Sequence, residues 1–192
     1  SGEPINTEEG ASNEIILVAV GDRFSVFING VYAAQFQDDS LREGDLGWIA
    51  TTGFRSEEKR CTYDNSWVWN MAFQVVEIEA PTPTATVRAP DFVIAALAAA
   101  GIPEDSGFLG TVSQQEVVDL GEEPGLNTEF LDGVYGNLAI GSTIQWGPGA
   151  ENDECMLRFR SEGEDDFYGV FINRRGEVFF QPRLEAEWLS PV

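Results

Sequence analysis

The sequence has no histidine, and cations are scarce. Only 11 Lys and Arg face 33 Asp and Glu in 192 residues, for a formal charge of −22. The missing imidazole removes the commonest general base, the usual switch near neutral pH and a favoured zinc ligand. A Ser, Cys or Thr nucleophile would find no His to activate it. The shortage of cations argues against nucleic acid, whose binders need a basic stripe to release counterions, and against anionic membrane surfaces. The two cysteines, Cys61 and Cys155, stand 94 positions apart and form no C-x-x-C motif. In a secreted chain they would make one disulfide, in a cytosolic one two buried thiols. The apolar run FVIAALAAAGI, residues 92–102, has 11 residues, too few for the roughly 20 that span a bilayer. No secretory leader is visible and the first residue is Ser1, which reads as a mature chain or one cut from something longer.

What is present is 43% hydrophobic residues, enough for a real core. Residues 14–20, EIILVAV, read as a buried strand, and Gly21-Asp22 as a turn. RFSVFING alternates, with Phe24, Val26 and Ile28 on one side and Ser25 and Phe27 on the other. Asn29-Gly30 is a strong hairpin signal, and VYAAQFQ is its partner strand. LGWIATTGF is a further strand, and CTYDNSWVWNMAFQVVEIE reads as one bent strand or two. Arg174-Arg175-Gly176 separates FYGVFIN from VFFQPRL as a second hairpin. Residues 91–102 read as one short Ala-rich helix, with Asp91 as N-cap and Gly101 as its stop. Residues 104–133 read as mostly irregular. Many short strands between turn signals predict an all-β fold, a two-sheet antiparallel sandwich.

One stretch breaks this pattern. EIEAPTPTATVRAPDF places Pro81, Pro83 and Pro90 among Thr and Ala, which is the composition of a stiff, solvated spacer between secreted domains. It lies near the middle of the chain, and neither flank looks like a complete domain.

The residues around it account for this. LVAVGDRFSVFINGVYAAQFQDDSLREGDLGWIATTG followed by CTYDNSWVWN resembles the second half of a laminin-G-like (concanavalin A-like) jelly-roll domain. The resemblance rests on Gly21-Asp22, Asn29-Gly30, Gly44 to Gly47, and Asp64, Asn65, Val68 and Trp69. YGNLAIGSTIQWGPGAENDECMLRFRSEGEDDFYGVFINRRGEVFF resembles the first half of the same domain. The resemblance covers about four-fifths of the chain and implies a permuted order: residues 1–78 are the C-terminal half of a sandwich, 79–90 the Pro/Thr linker and 91–192 the N-terminal half. Joining Val192 to Ser1 gives an uninterrupted strand-loop-strand. Such a chain closes on itself, completes its sandwiches with neighbours by exchange, or is one period of a tandem-repeat protein. Twelve linker residues at about 3.1 Å each span roughly 37 Å, enough for closure or for exchange. In the restored order a Cys61–Cys155 bridge would tie the halves together.

The resemblance also frames the sites. Glucanases of this fold carry Glu-x-Asp-x-x-Glu on a strand. The nearest run here, Glu116, Asp119 and Glu122, has the wrong spacing, so no catalytic residue and no enzyme are expected. Relatives with this sandwich bind glycans through exposed aromatics, which makes Trp146, Trp188 and Trp48 candidates. Trp146 and Trp188, near loops, are the better ones, while Trp67 and Trp69 are expected to pack between the sheets. No cofactor is expected; if Ca²⁺ is held, Asp153, Glu154, Asp165 and Asp166 are the candidates, without the ordered pattern of a calcium loop. In the family Asp165-Asp166 would read as a turn. Thr82, Thr84 and Thr86 are candidate O-glycosylation sites. The expected role is a non-catalytic structural protein, extracellular or at the cell surface. Its main partners would be copies of itself in a filament or repeat array. The alternative is a carbohydrate-binding adhesion module.

Overall fold

A strand that is apolar at every position can only be satisfied with both faces covered, and residues 15–19 meet that condition. In the computed structural model, which describes residues 5–51, 61–71, 91–102, 112–119, 126–147 and 154–192, they lie in β1 (Ser12–Val20). Ile15, Leu17 and Ala19 enter the space between two sheets, while Ile16 and Val18 face outward into a second apolar cluster. β2 (Arg23–Ile28) follows, with Phe24, Val26 and Ile28 inside and Phe27 outside, as its alternation predicts. Asn29 and Gly30 both take positive φ, 51° and 74°, the geometry of a tight hairpin turn. β3 (Val31–Gln37) returns with a register shift between Val26 and Phe27 of β2.

The remaining strands are β4 (Gly44–Thr51), β5 (Cys61–Met71), β6 (Val112–Asp119), β7 (Leu126–Tyr135), β8 (Asn137–Trp146), β9 (Glu154–Glu162), β10 (Asp166–Asn173), β11 (Val178–Leu184) and β12 (Glu187–Trp188). The fold is mostly β: two antiparallel six-stranded sheets in the orders β3-β2-β1-β8-β5-β6 and β12-β11-β10-β9-β4-β7. The sandwich expected from the strand pattern is present. β6 and β7 fall inside the stretch read as irregular. Neither has a clean apolar alternation, and each is a strand at the end of its sheet, made by pairing with β5 and with β4. Their cause is tertiary.

β5 is a single strand over its described residues, with its register shifted between Asp64 and Trp67. Asn65 adopts φ 50° there. The irregularity inverts the alternation, so Tyr63 and Val68, five residues apart, both face inward. Trp67 and Trp69 consequently lie on the outer face rather than between the sheets. The helix α1 (Asp91–Ala99) covers them, through Ala96 and Leu97. It ends as expected at Gly101, φ 76°, where Gly101 N donates to Ala98 O and Ile102 N to Leu97 O, a Schellman closure. Among the described residues no helix is long and apolar enough to cross a membrane.

Strands from before residue 72 and after residue 111 interleave. β5 lies between β8 and β6, and β4 lies between β9 and β7. Five of the ten described ladders join the two groups: β1–β8, β4–β7, β4–β9, β5–β6 and β5–β8.

Candidate functional site

One set of interactions between the two strand groups lies on β5, β4, β8 and β9. Cys61, the first residue of β5, is bonded to Cys155 of β9, with Cα atoms 5.9 Å apart. The bridge crosses from one sheet to the other. Two residues on, the Tyr63 hydroxyl lies between β4 and β9, where it donates to Ile49 O at 2.7 Å and accepts from Met156 N at 2.9 Å. Complete burial pushes its phenol above the ordinary tyrosine range. Farther along, Ser66 and Ser142 share a buried hydroxyl–hydroxyl bond of 2.7 Å. Gly141 lies flat beneath the Trp67 indole, where a Cβ would come within 2.3 Å of the ring.

A second feature among the described residues is a cleft of about 460 Å³ at the end of the sandwich where Met71 pairs with Asn137. Its walls are Gly21 and Asp22 of the β1–β2 turn, Asp39, Arg42 and Glu43 of the β3–β4 loop, Gly136 and Asn137, and Arg160 of β9. Asn137 Oδ1 accepts from Gly21 N at 2.9 Å, and Asp22 Oδ2 from Gln37 Nε2 at 2.6 Å. Arg160 is 1% exposed. Its Nε and Nη2 donate to Gly136 O at 3.1 and 3.0 Å, its Nη1 to Leu41 O at 3.1 Å, and its guanidinium lies 5.0 Å over the Phe24 ring. Burial lowers its pKa, opposed by Tyr168 and Asp22. Among the described residues three of its five N–H groups find an acceptor. Tyr168 braces the same loop, its hydroxyl meeting Asp38 and accepting from Leu41 N. Burial works to raise the Asp38 pKa, but its bonds to Tyr168 and Ser40 outweigh that and leave it lowered.

The candidates named from the sequence fall in different places. Trp48 and Trp146 are core residues at 1% and 2% exposure. The expectation that Trp146 would be exposed is corrected, and neither ring has a face open to a sugar. Trp48 lies on the inward side of β4, and Trp146 is anchored by Nε1 to Asn6 O at 2.7 Å. Trp188 is 43% exposed, with its ring against Phe167 and Phe171 and near Arg183. Glu154 does not share a site with Asp165 and Asp166. The register pairs Glu154 with Asn173 and Asp166 with Glu162, at opposite ends of the β9–β10 hairpin, about 26 Å apart by strand rise. Asp165 pairs with Arg183 at 3.3 Å, and Asp166 accepts from Glu185 N at 2.5 Å. Among the described residues no group of three His, Cys, Asp or Glu is placed to hold a metal. Asp153, Thr82, Thr84 and Thr86 lie outside the described residues.

Tyr63 and Arg160 were not among the candidates. The signal for Arg160 was present: in CMLRFRSE two arginines occupy a strand that is otherwise largely apolar, where a cation is tolerated only if its hydrogen bonds are met inside. Nothing local marks Tyr63, because its acceptor and donor come from β4 and β9. Comparison with protein-family models and with curated proteins finds no match.

Proposed function

We propose that this chain is a laminin-G-like sandwich written with its second half first. It serves as a non-catalytic building block of an extracellular filament or repeat array, with copies of itself as partners. The observation that carries this reading is the interleaving of the strands. With β4 and β5 inserted as inner strands between strands from beyond residue 111, neither group is a sandwich alone, and each separately would have open edges and half a core. The same ladders satisfy the chain whether the complementary strands come from itself or from a neighbour. The arrangement of the ends supports permutation. Arg174 Nε donates to Thr7 O at 3.2 Å, while Val192 and Phe180 exchange backbone bonds, so a residue near each described end is bonded to the β10–β11 hairpin. The test is light scattering and electron microscopy of the purified chain, as bridged and after it has been unfolded, reduced and returned to native buffer with reductant present. Extended assemblies of repeating sandwiches support the reading; a particle of single-chain mass under both conditions sinks it.

The cleft favours a second reading, a carbohydrate-binding module. Its size falls in the range of about 300–1,000 Å³ usual for small-molecule sites. Its lining of three carboxylates, two guanidiniums and an amide suits a neutral polyhydroxylated ligand better than an ion. Amide chemical shifts recorded against methyl glycosides at up to about 10 mM, enough for a roughly millimolar Kd, test it. Shifts confined to Gly21, Gly136 and Asn137 and lost in Asp39→Ala support it; no shift there rejects it.

A further inference from the structure

The bridge between Cys61 and Cys155 has a consequence that rests on the half-exchange reading. Cys61 belongs to β5 and Cys155 to β9, on either side of the Pro/Thr stretch in sequence. In space they lie at the seam where one strand group inserts into the other. A chain bridged to itself must keep β5 next to its own β8 and β9, and cannot offer β5 to a neighbour. We infer that this disulfide is a redox gate on exchange. Formed within a chain it locks the sandwich shut; opened, it frees the halves to pair with a second copy; re-formed across two copies, it makes the assembly covalent.

The gate is slow by construction. Cys61 is 3% exposed and Cys155 fully buried, so no reductant reaches either sulfur until the seam opens locally. Tyr63, bonded to β4 and β9 two residues away, holds that same seam. The chemistry balances as thiol–disulfide exchange. A thiolate of a small dithiol attacks one sulfur, giving a mixed disulfide and one protein thiolate. The second thiol of the reagent closes its own ring and releases the other. Two electrons pass from the dithiol to the bridge. In the reverse direction glutathione disulfide accepts two electrons from the two cysteines and leaves as two glutathiones.

The experiment uses the full chain in three forms, each at about 1 µM and about 1 mM, the range in which open strand edges associate. The first is the native, bridged protein. The second is protein unfolded and reduced with dithiothreitol, returned to native buffer and re-oxidised with a glutathione couple. The third is the Cys61→Ser/Cys155→Ser variant carried through the same refolding. Mass is read by light scattering and bond placement by non-reducing gels and peptide mapping. Native bridged chains are expected to keep single-chain mass at both concentrations. Re-oxidised chains should carry Cys61–Cys155 bonds within chains when dilute and between chains when concentrated, the interchain share rising about tenfold or more by mass action. The variant should grow with concentration. If bridged chains assemble as readily as the variant, the gate is wrong while exchange stands. If the re-oxidised and variant chains both stay single at both concentrations, exchange fails and takes the gate with it. Interchain bonds joining Cys61 to Cys61 or Cys155 to Cys155 also overturn the gate, because exchange joins unlike partners only. Should the variant not fold, the re-oxidised protein decides alone, since its bridge re-forms.

Discussion

At the residue scale the seam is held by groups whose partners have no substitute. Tyr63→Phe removes one hydroxyl and with it the buried bonds to Ile49 O and Met156 N. This is expected to cost about 1–3 kcal/mol, measured as a lower urea midpoint with an unchanged slope. Gly141→Ala puts a methyl into the Trp67 indole. Overpacking of this kind costs about 1–3 kcal/mol, and the indole should report it by a change in fluorescence. Glu154 gives a pH effect of definite sign. Burial raises its pKa, with Arg175 opposing and Glu177 adding to the rise. The folded chain therefore holds this proton more tightly than the unfolded chain does. Its contribution is fully present below the ordinary glutamate range and is lost as pH rises through the folded pKa. Glu154→Gln should raise Tm at neutral pH and flatten the fall in stability above about pH 4.5, the lower edge of that window. An unchanged Tm–pH profile would count against it. Of these residues the sequence singled out Glu154, as a calcium candidate, and Trp67, as a core residue. Tyr63 it did not, because an inward phenol means nothing until the carbonyl and amide it reaches are known.

At the scale of elements, α1 acts as a cover. It has no charged residue after Asp91, and its inner side closes the apolar outer face formed by Ile16, Val18, Phe27, Trp67 and Trp69. Leu97→Ala should uncover those tryptophans, shifting their emission to the red and costing about 2 kcal/mol, the low end for a truncated leucine because the helix is edge-packed. An unshifted spectrum would mean that the helix does not seal that face. The helix was readable from its Ala-rich run and its Gly101 stop, which are local signals. The hairpins at Asn29-Gly30 and Arg174-Arg175-Gly176 were readable for the same reason, since a turn is written in two or three residues. β6 and β7 were not. Their strand state comes from pairing with β5 and β4, and an end strand needs only one partner and one covered face. The direction of Trp67 and Trp69 was missed through the irregularity at Asp64–Trp67, which turns alternation around without any change in hydrophobicity.

At the scale of the whole molecule, the prediction that follows from permutation is a rearranged chain. Linking Val192 to Ser1 and opening the chain between residues 79 and 90 should give the same near-UV circular dichroism and the same Cys61–Cys155 bond, because every described ladder is kept and only connections change. A rearranged chain that fails to fold, or that pairs its cysteines between molecules when dilute, would remove the permuted reading. The sequence by itself determined the class of fold, the two-faced burial of β1, the tight turns and the helix with its stop. It also made a histidine-assisted mechanism unavailable. These follow from composition and from patterns only a few residues long. The tertiary structure alone decided which strands are neighbours and that β4 and β5 are inner strands between partners from the far side of the chain; the Cys61–Cys155 bridge, expected from the sequence, it places across the two sheets. It also decided that Trp48 and Trp146 are core, and that Arg160 lines a cleft. The physical reason is range: each of these depends on contacts between residues tens to more than a hundred positions apart. Hydrophobic pattern states that a face must be buried but not which strand will bury it.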